Sequence, residues 1–444
     1  MIALLATLPV ALGATLLPSA VAGALWVALW VICGLISLYA ARHYGFTLNR
    51  LFGRQRHPYL DVDTAEWPSV TVLVAAHNEE AVIAGSLEAL LEVDYPRDRL
   101  EILAVNDRST DRTREIVDEF VARFPGRIRA FHRREGKPGK AAALKDATAL
   151  ASGDILIVFD ADYVPGRGLL KQLAAPFFDP ETGAVMGRVV PLNCDRNLLT
   201  RLLDMERAGG YQVDQQARMN LRLVPQYGGT VGGVRRAALE AVGGWRDDAL
   251  AEDTDLTYRL LIQGWRTAYQ NRSECYEEVP ESWPVRVRQI MRWAKGHNEA
   301  AVRYAGALLR SRTVTWRERV DGLLVLGVYF MSPVMLLGWF IAIALFYFAP
   351  TDDLFGLSAA LLVFALMSYG ALGNFAAFFE IAAAVHLDGS RERVRLLPLN
   401  FLGFLVSLVS ISRATYQAAR DHLLGRKLVW HKTDRYRQRP APVA

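Results

Sequence analysis

Apolar and polar positions are sharply segregated along this chain. Residues 1–41 contain no Asp, Glu, Lys or Arg, and neither do residues 322–351, 354–379 or the shorter 396–412. A helix needs about 20 apolar residues to cross a hydrocarbon core roughly 30 Å thick. The first three stretches meet that length and the fourth falls just short. As one helix, residues 1–41 would reach about 60 Å, twice that thickness. Two helices broken near Pro18-Ser19 are therefore expected, with one span from about Ala20 plus an interfacial lead-in as the alternative.

Nearly all the charge lies between Arg42 and Asp321, which predicts one soluble domain held between membrane segments. After a polar, proline-containing linker, short β-rich runs alternate with helical ones. Strands are expected at Val70–Ala76 and over 100–105, 128–131 and 155–159, with helices over 80–92, 111–124 and 139–151. The first strand is continuously apolar, as strands covered on both faces tend to be. The alternation predicts an α/β fold, a doubly wound, parallel-rich sheet with helices on both faces. Ligands of such sheets bind beyond the carboxyl ends of the strands.

Hydrophobic residues make up 52% of the chain and charged residues 22%, with a net charge of +5. Basic residues gather at membrane ends: Arg42, the loop 390–395 and the tail 420–439. This pattern fits the positive-inside rule and anionic headgroups, and puts the soluble domain on the cytoplasmic side of a plasma (inner) membrane. No basic patch is interleaved with stacking aromatics, which argues against nucleic acid as a partner. Cys33, Cys194 and Cys275 are too few and scattered for a disulfide framework or a thiolate zinc site. The N-terminus lacks a charged n-region, so no cleaved leader is expected, and the short final stretch leads us to expect no regulatory domain there.

The predicted strand ends carry the chemistry. The first runs into His77-Asn78-Glu79-Glu80, the second into Asn106-Asp107, and the 155–159 strand into Asp160-Ala161-Asp162. One acidic strand end is explained by helix capping, and Asp111 is read that way. Three facing one crevice are not. Carboxylates two apart at a strand end can aim hard oxygens at one Mg2+, whose shell a diphosphate would complete. Farther on, Glu252-Asp253-Thr254-Asp255 opens a helix expected over 256–263. These acids suit a helix dipole, and Asp253 equally suits a general base for an acceptor hydroxyl. Gln289-Ile290-Met291-Arg292-Trp293 lies in an amphipathic, arginine-rich segment over 283–310. It reads as an interfacial helix with snorkelling arginines, and as a place where an indole stacks on a sugar.

Taken in order, Asp107, Asp160-Ala-Asp162, Glu252-Asp253 and Gln289-x-x-Arg292-Trp293 resemble the family-2 membrane glycosyltransferases. That group includes cellulose, chitin, hyaluronan and poly-N-acetylglucosamine synthases, and ceramide glucosyltransferases. The resemblance implies a nucleotide-sugar-binding GT-A domain and inverting transfer from a nucleotide sugar, a UDP-sugar by the pattern of this group, with Mg2+ or Mn2+. It implies Glu79 and Asp107 at the uridine, Lys140 near the donor phosphates, Asp160 at diphosphate and metal, and Asp162 at the metal. Asp253 matches the base, with Glu252 beside it in the catalytic motif; Gly229, Gln289, Arg292 and Trp293 match the acceptor side. Trp430, Thr433 and Arg435 resemble a gating segment that closes over the nucleotide.

The sequence departs from the family pattern at Ala75-Ala76-His77, at Lys145 where Asn is common, and at His297, which has no family role and reads as an interfacial histidine. The implied division is membrane segments in 1–41, linker 42–68, catalytic domain 69–282, interfacial helices 283–319, and membrane helices 320–387. A basic loop with an interfacial or membrane segment follows in 388–419, then a cytosolic tail in 420–444. A cytosolic tail needs an even number of spans after the catalytic domain, so 396–412 is expected to lie in the interface. The leading expectation is a processive synthase extending a polysaccharide, with accessory export proteins unassigned. The alternative is addition of one sugar to a glycolipid acceptor in the bilayer.

Overall fold

The structure, a computed structural model, describes residues 17–57, 66–348, 375–389 and 391–424, together with Ser358 and Ala365. Helix α1 (Ser19–Phe52) starts directly after Pro18, which fixes the extended backbone at its N-cap. The N-terminal half of the soluble domain runs β1 (Val70–Ala76), α2 (Ile83–Leu91), β2 (Leu100–Asp107), α3 (Thr113–Arg123), β3 (Ile128–Arg133), α4 (Lys140–Thr148) and β4 (Ile155–Asp160). After β5 (Val164–Pro165) and α5 (Leu169–Ala174) come β6 (Thr182–Pro191), α6 (Leu198–Ala208) and, past a π-helical turn, α7 (Gln216–Leu221). The domain closes with β7 (Gly232–Arg235), α8 (Arg236–Ala241), α9 (Glu252–Ile262) and β8 (Arg266–Glu277). Then follow α10 (Trp283–Arg310), α11 (Trp316–Gly327), α12 (Met331–Phe348), α13 (Phe375–Leu387) and α14 (Asn400–Leu423).

One eight-stranded sheet has the order β3-β2-β1-β4-β7-β6-β8-β5. Its first four strands are parallel, as the alternation predicts. Both faces are covered, which is why β1 reads as a continuous apolar run. Val70, Val72 and Val74 pack with α2, α3 and α5. On the other face Leu73, Leu103, Leu156 and Val158 pack with α4, α8 and α9. The register sets Ala75 opposite both Val105 and Asp160, so the ends of β1, β2 and β4 finish level.

The second half departs from a purely parallel sheet: β7 lies antiparallel to both β4 and β6. Close packing is the reason its strands carry little apolar periodicity. A Cβ on Gly232 would come 2.5 Å from the Tyr227 ring, and one on Gly233 would come 2.9 Å from Phe177. Glycine allows these approaches and leaves no hydrophobic pattern to read.

Among the described residues three helical stretches, Ser19–Phe52, Trp316–Phe348 and Glu392–Asp421, are long and apolar enough to cross a membrane. The third includes 396–412, the stretch expected to lie in the interface. Its amphipathic continuation does not form a separate element but extends the same helix, so α14 has 24 residues and packs along α10 and α12. Residues 1–16 and most of the apolar stretch 354–379 lie outside the described residues. The reading of Arg42 is corrected. Rather than facing headgroups, its buried guanidinium holds Asp321 at 3.0 Å and Asp214 at 3.2 Å. The amide of Val224 donates to the other Asp321 oxygen at 3.3 Å. This buried clasp fixes α1 and α11 to the soluble domain. The three cysteines are free, with Cys33 and Cys275 buried and Cys194 half-buried.

Candidate active site

The sharp exits of β1 and β2 are made by left-handed residues, Asn78 with φ 55° and Arg108 with φ 54°. Such conformations persist where surrounding bonds over-determine them. Asn78 donates its amide to Ser109 Oγ at 2.9 Å and accepts from the Thr110 amide at 2.7 Å. Glu79 is buried, with its amide on Thr113 Oγ1 at 2.8 Å. Asp111 takes the Thr113 amide at 3.0 Å, beside the start of α3 but not as its N-cap, which is Arg112.

Asp107 stands at the β2 crest with both oxygens held by the protein. Arg108 Nε and Arg133 Nη1 each reach Oδ1 at 2.9 Å, and the Gly139 amide reaches Oδ2 at 3.3 Å. Burial works against ionisation of this carboxyl, but these donors outweigh it and hold it below the usual carboxylate range. Arg133 also donates to the Lys137 carbonyl at 2.6 Å. Asp107 therefore organises the loop that delivers Lys140.

Lys140, the first residue of α4, joins four separate parts of the chain. Its Nζ lies 2.6 Å from Asp160 Oδ1 and 3.6 Å from Glu252 Oε1, and donates to the Gly229 carbonyl at 2.8 Å. Burial alone would lower the pKa of this lysine; Asp160 and Glu252 reverse that and raise it. Glu252 is pushed above its ordinary value by burial, with Asp253 adding to the rise and Lys140 opposing it. Gly229 has φ +73°, and a Cβ there would stand 3.1 Å from Asp253 Cβ. The Thr230 hydroxyl accepts the Asp160 amide at 3.1 Å, tying this loop to the β4 crest. Val231 completes the turn at φ 49°, a strained value for a buried β-branched residue.

At the β4 crest Asp160 has a side chain 31% exposed, while Asp162 is buried. Among the described residues no group of three or more His, Cys, Asp and Glu side chains forms a cage for a metal ion. Asp160 and Asp162 are the two carboxylate residues at this crest. Two carboxylates could hold a hard cation only if a phosphate ligand shared its shell.

A buried relay leads from this crest to Trp293. The Tyr163 hydroxyl donates to Glu277 at 2.7 Å, and Arg207 Nε donates to the other Glu277 oxygen at 2.5 Å. The guanidinium carbons of Arg207 and Arg286 lie 5.2 and 5.3 Å from the Trp293 ring centre. Indole faces attract such cations, so the expected sugar-stacking ring already carries two of them. Arg286 also donates to Gln289 at 2.8 Å and pairs with Glu206. Arg292 is half-buried on the same helix. Tyr163, Glu277, Arg207 and Arg286 were not singled out in the sequence. Tyr163 adjoins Asp162, but Glu277 ends a strand that no apolar pattern announces. Trp430, Thr433 and Arg435 lie outside the described residues.

This constellation sits on a GT-A fold of the nucleotide-sugar-dependent type. A family model described as Glycosyltransferase like family 2 matches residues 68–296. The chain is 31% identical to the probable glycosyltransferase YdaM of Bacillus subtilis over 410 residues, covering 89% of this chain and 92% of that protein. It is 32% identical over 307 residues to a β-monoglucosyldiacylglycerol synthase of Synechocystis, covering 68% of this chain and 62% of that one. Among solved structures, mannosyltransferase PcManGT from Pyrobaculum calidifontis, in complex with GDP-Man and Mn2+, resembles it in fold. The TM-score is 0.55 at 23% identity, over 89% of this chain and 99% of that one. The chain belongs to glycosyltransferase family 2.

Proposed function

We propose that this protein transfers a sugar from a nucleotide-sugar donor, with inversion, to a hydroxyl of a lipid acceptor at the membrane surface. The observation that carries the reaction is the meeting of Lys140, Asp160, Glu252 and Gly229 within 3.6 Å of one ammonium group. Asp253 takes the acceptor proton as the oxygen attacks the anomeric carbon. The bond from that carbon to the diphosphate oxygen breaks in the same displacement, and the leaving diphosphate keeps the electron pair. Lys140 meets the charge that develops there. Asp160 and Asp162 would hold Mg2+ or Mn2+, which stabilises charge on a departing diphosphate. Glu79 and Asp107, at neighbouring crests, are assigned to the uridine of a UDP-sugar.

An apolar cleft supports the lipid acceptor. It is a narrow cleft of about 20 Å³ between α6, α10, α13 and α14, with Leu199, Leu203, Ile290, Ile381 and Phe404 in its walls beside Glu206, Asn400 and Ser407. Arg286 lines it too, and also stands over Trp293. Its α14 side belongs to a candidate span with little of its surface buried in the protein. The exposed apolar α14 side suits contact with an acyl chain from the bilayer. The name of the Synechocystis relative points the same way. The second reading, processive extension of a polysaccharide, rests on the likeness of Trp430, Thr433 and Arg435 to a gating segment.

Purified protein given a panel of nucleotide sugars and diacylglycerol vesicles is expected to yield a lipid carrying one sugar. A ladder or long polymer would favour the second reading. Asp253→Asn should bind nucleotide normally and lose transfer; near-normal turnover would remove the base assignment. Chelation should abolish transfer and Mg2+ or Mn2+ restore it, whereas full activity in excess chelator would remove the metal role.

A further inference from the structure

His297 lies one helical turn beyond Trp293 on α10, where its side chain meets two other parts of the site. Its Nδ1 is 3.2 Å from Thr254 Oγ1. Thr254 in turn holds Asp253: its amide donates to Asp253 Oδ1 at 2.6 Å, and its hydroxyl reaches the same oxygen at 3.3 Å. On the other side of the ring, Nε2 is 3.4 Å from the Gln226 side-chain amide. Gln226 opens the stretch that leads through Tyr227 and Gly228 to Gly229. Tyr329, in the Trp316–Phe348 candidate span, meets the imidazole edge-on at 5.0 Å between ring centres.

With the Gln226 side-chain nitrogen facing Nε2, the direction follows. That nitrogen can only donate, so Nε2 accepts and Nδ1 carries the proton. Nδ1–H then donates to Thr254 Oγ1, leaving the threonine hydroxyl hydrogen to donate to Asp253. A neutral imidazole closes this chain. An imidazolium would present Gln226 with a hydrogen it cannot accept through its amide nitrogen.

We infer that His297 is a positioning residue for the candidate base: through Thr254 it holds the Asp253 carboxylate beside Gly229, and it ties that carboxylate to the loop and membrane helix that frame the acceptor. The inference rests on the reading of Asp253 as the base. In this role His297 acts through Thr254, not on the reacting groups themselves. Its effect falls on the catalytic step, because a small misplacement of a reacting group lowers the rate without loosening the substrate.

The test uses the full chain in detergent or nanodiscs, with Mn2+, a nucleotide sugar that the wild type turns over, and diacylglycerol vesicles. His297→Phe keeps a flat ring against Tyr329 and removes both hydrogen bonds. Its kcat is expected to fall about 10- to 100-fold, with KM for the donor within about twofold of wild type. Thr254→Val breaks the chain at its middle and should give the same split. The double variant should be no worse than either single, because all three break one connection. His297→Asn offers an amide N–H near the position of Nδ1 and should recover most of the lost kcat.

Wild-type kcat in Thr254→Val, additive losses in the double variant, or an Asn variant no better than Phe would each overturn the inference. If His297→Phe fails to fold, Thr254→Val and His297→Asn still decide it. A structure of His297→Phe reads the same point without turnover: the Asp253 carboxylate should have rotated, and an unchanged rotamer counts against the inference. Asp253→Asn, assayed alongside, separates the two claims. Turnover in that variant sinks the base assignment, whereas its loss with a fully active Thr254→Val sinks only the positioning role.

Discussion

The proposed donor and acceptor sides of the crevice are built differently. On the donor side, Asn78, Asp107 and Asp160 sit at the level ends of parallel strands. The sheet itself fixes their relative positions, and local donors such as the Gly139 amide finish the arrangement. On the acceptor side no sheet edge does this work. Trp293, Asp253 and Gly229 come from a helix face, a helix start and a strained turn. They are aligned by buried side-chain relays through Glu277, Arg207, Thr254 and His297. The donor side should therefore tolerate loss of one polar contact better than the acceptor side. Lys140 stands where the two meet.

Glu277→Gln should break that comparison open most widely. Glu277 is buried and takes hydrogen bonds from both Tyr163 and Arg207. Burial disfavours the charged form of Arg207, and Glu277 more than offsets this and raises its pKa. Removing one partner of a buried ion pair costs about 3–5 kcal/mol, because the other charge is left uncompensated. Thermal and denaturant midpoints should fall accordingly, and Trp293 fluorescence should change as Arg207 moves. A loss below about 1 kcal/mol, the range of exposed pairs, would mean that this relay is not what holds the acceptor side.

Lys140→Met tests the seam. We expect transfer to drop about 10²- to 10³-fold, the usual cost of deleting one preorganised electrostatic group at a developing charge. Nucleotide binding should weaken less, because Asp107 and the strand ends remain in place. Turnover within about fivefold of wild type would place the leaving group elsewhere.

How much of this was legible beforehand follows from the same physics. Val70–Ala76 was read with its boundaries because a strand buried on both faces must be apolar throughout. Trp283–Arg310 was read because an amphipathic helix repeats its apolar face. Asp160, Asp162 and Asp253 stood out because carboxylates follow a buried strand or open a helix at spacings a family resemblance could match. β7 was invisible because its two glycines are there for close approach, and β8 with Glu277 was lost with it. The relay Tyr163–Glu277–Arg207–Trp293 could not be seen at all. Its members are far apart in sequence, and each has an ordinary local explanation. His297 was passed over as an interfacial histidine for the same reason.

Acidification should act on the two sides unequally. Burial depresses the His297 pKa, Asp253 opposes and Arg218 adds to the drop, leaving it at about 4 against an ordinary 6.5. Between those values the unfolded chain binds a proton that the folded one does not. Stability from this group is therefore complete above about pH 6.5 and declines as pH falls toward 4, by at most about 1.4 kcal/mol per unit. Asp107 has the lowered pKa of a paired carboxylate. Its contribution persists above the unfolded value of about 3.9 and fades only as pH falls through its folded pKa. Glu252, raised by burial, works in the opposite direction to His297. Comparing wild type with His297→Asn between pH 7.5 and 5 isolates the histidine, and the variant should show the flatter slope. Parallel slopes would mean the imidazole is not held neutral.

The smallest expected effect concerns Lys145, where the sequence departs from the family pattern. Had this lysine faced the donor phosphates beside Lys140, the departure would have implied a different donor. Instead its side chain is 57% exposed and its Nζ lies 3.9 Å from Asp247. Asp247 is held below the usual carboxylate range first by a hydrogen bond from Lys137, so it keeps a cationic partner when Lys145 is removed. An exposed pair at that distance contributes about 0–1 kcal/mol and is screened by salt. Lys145→Asn should therefore leave kcat and donor KM within about twofold of wild type, with little change in the thermal midpoint. A tenfold rise in donor KM would put Lys145 at the phosphates and extend the donor side beyond the strand ends. An unchanged KM locates this departure on the outer surface of α4, away from the chemistry proposed for Lys140 five residues earlier.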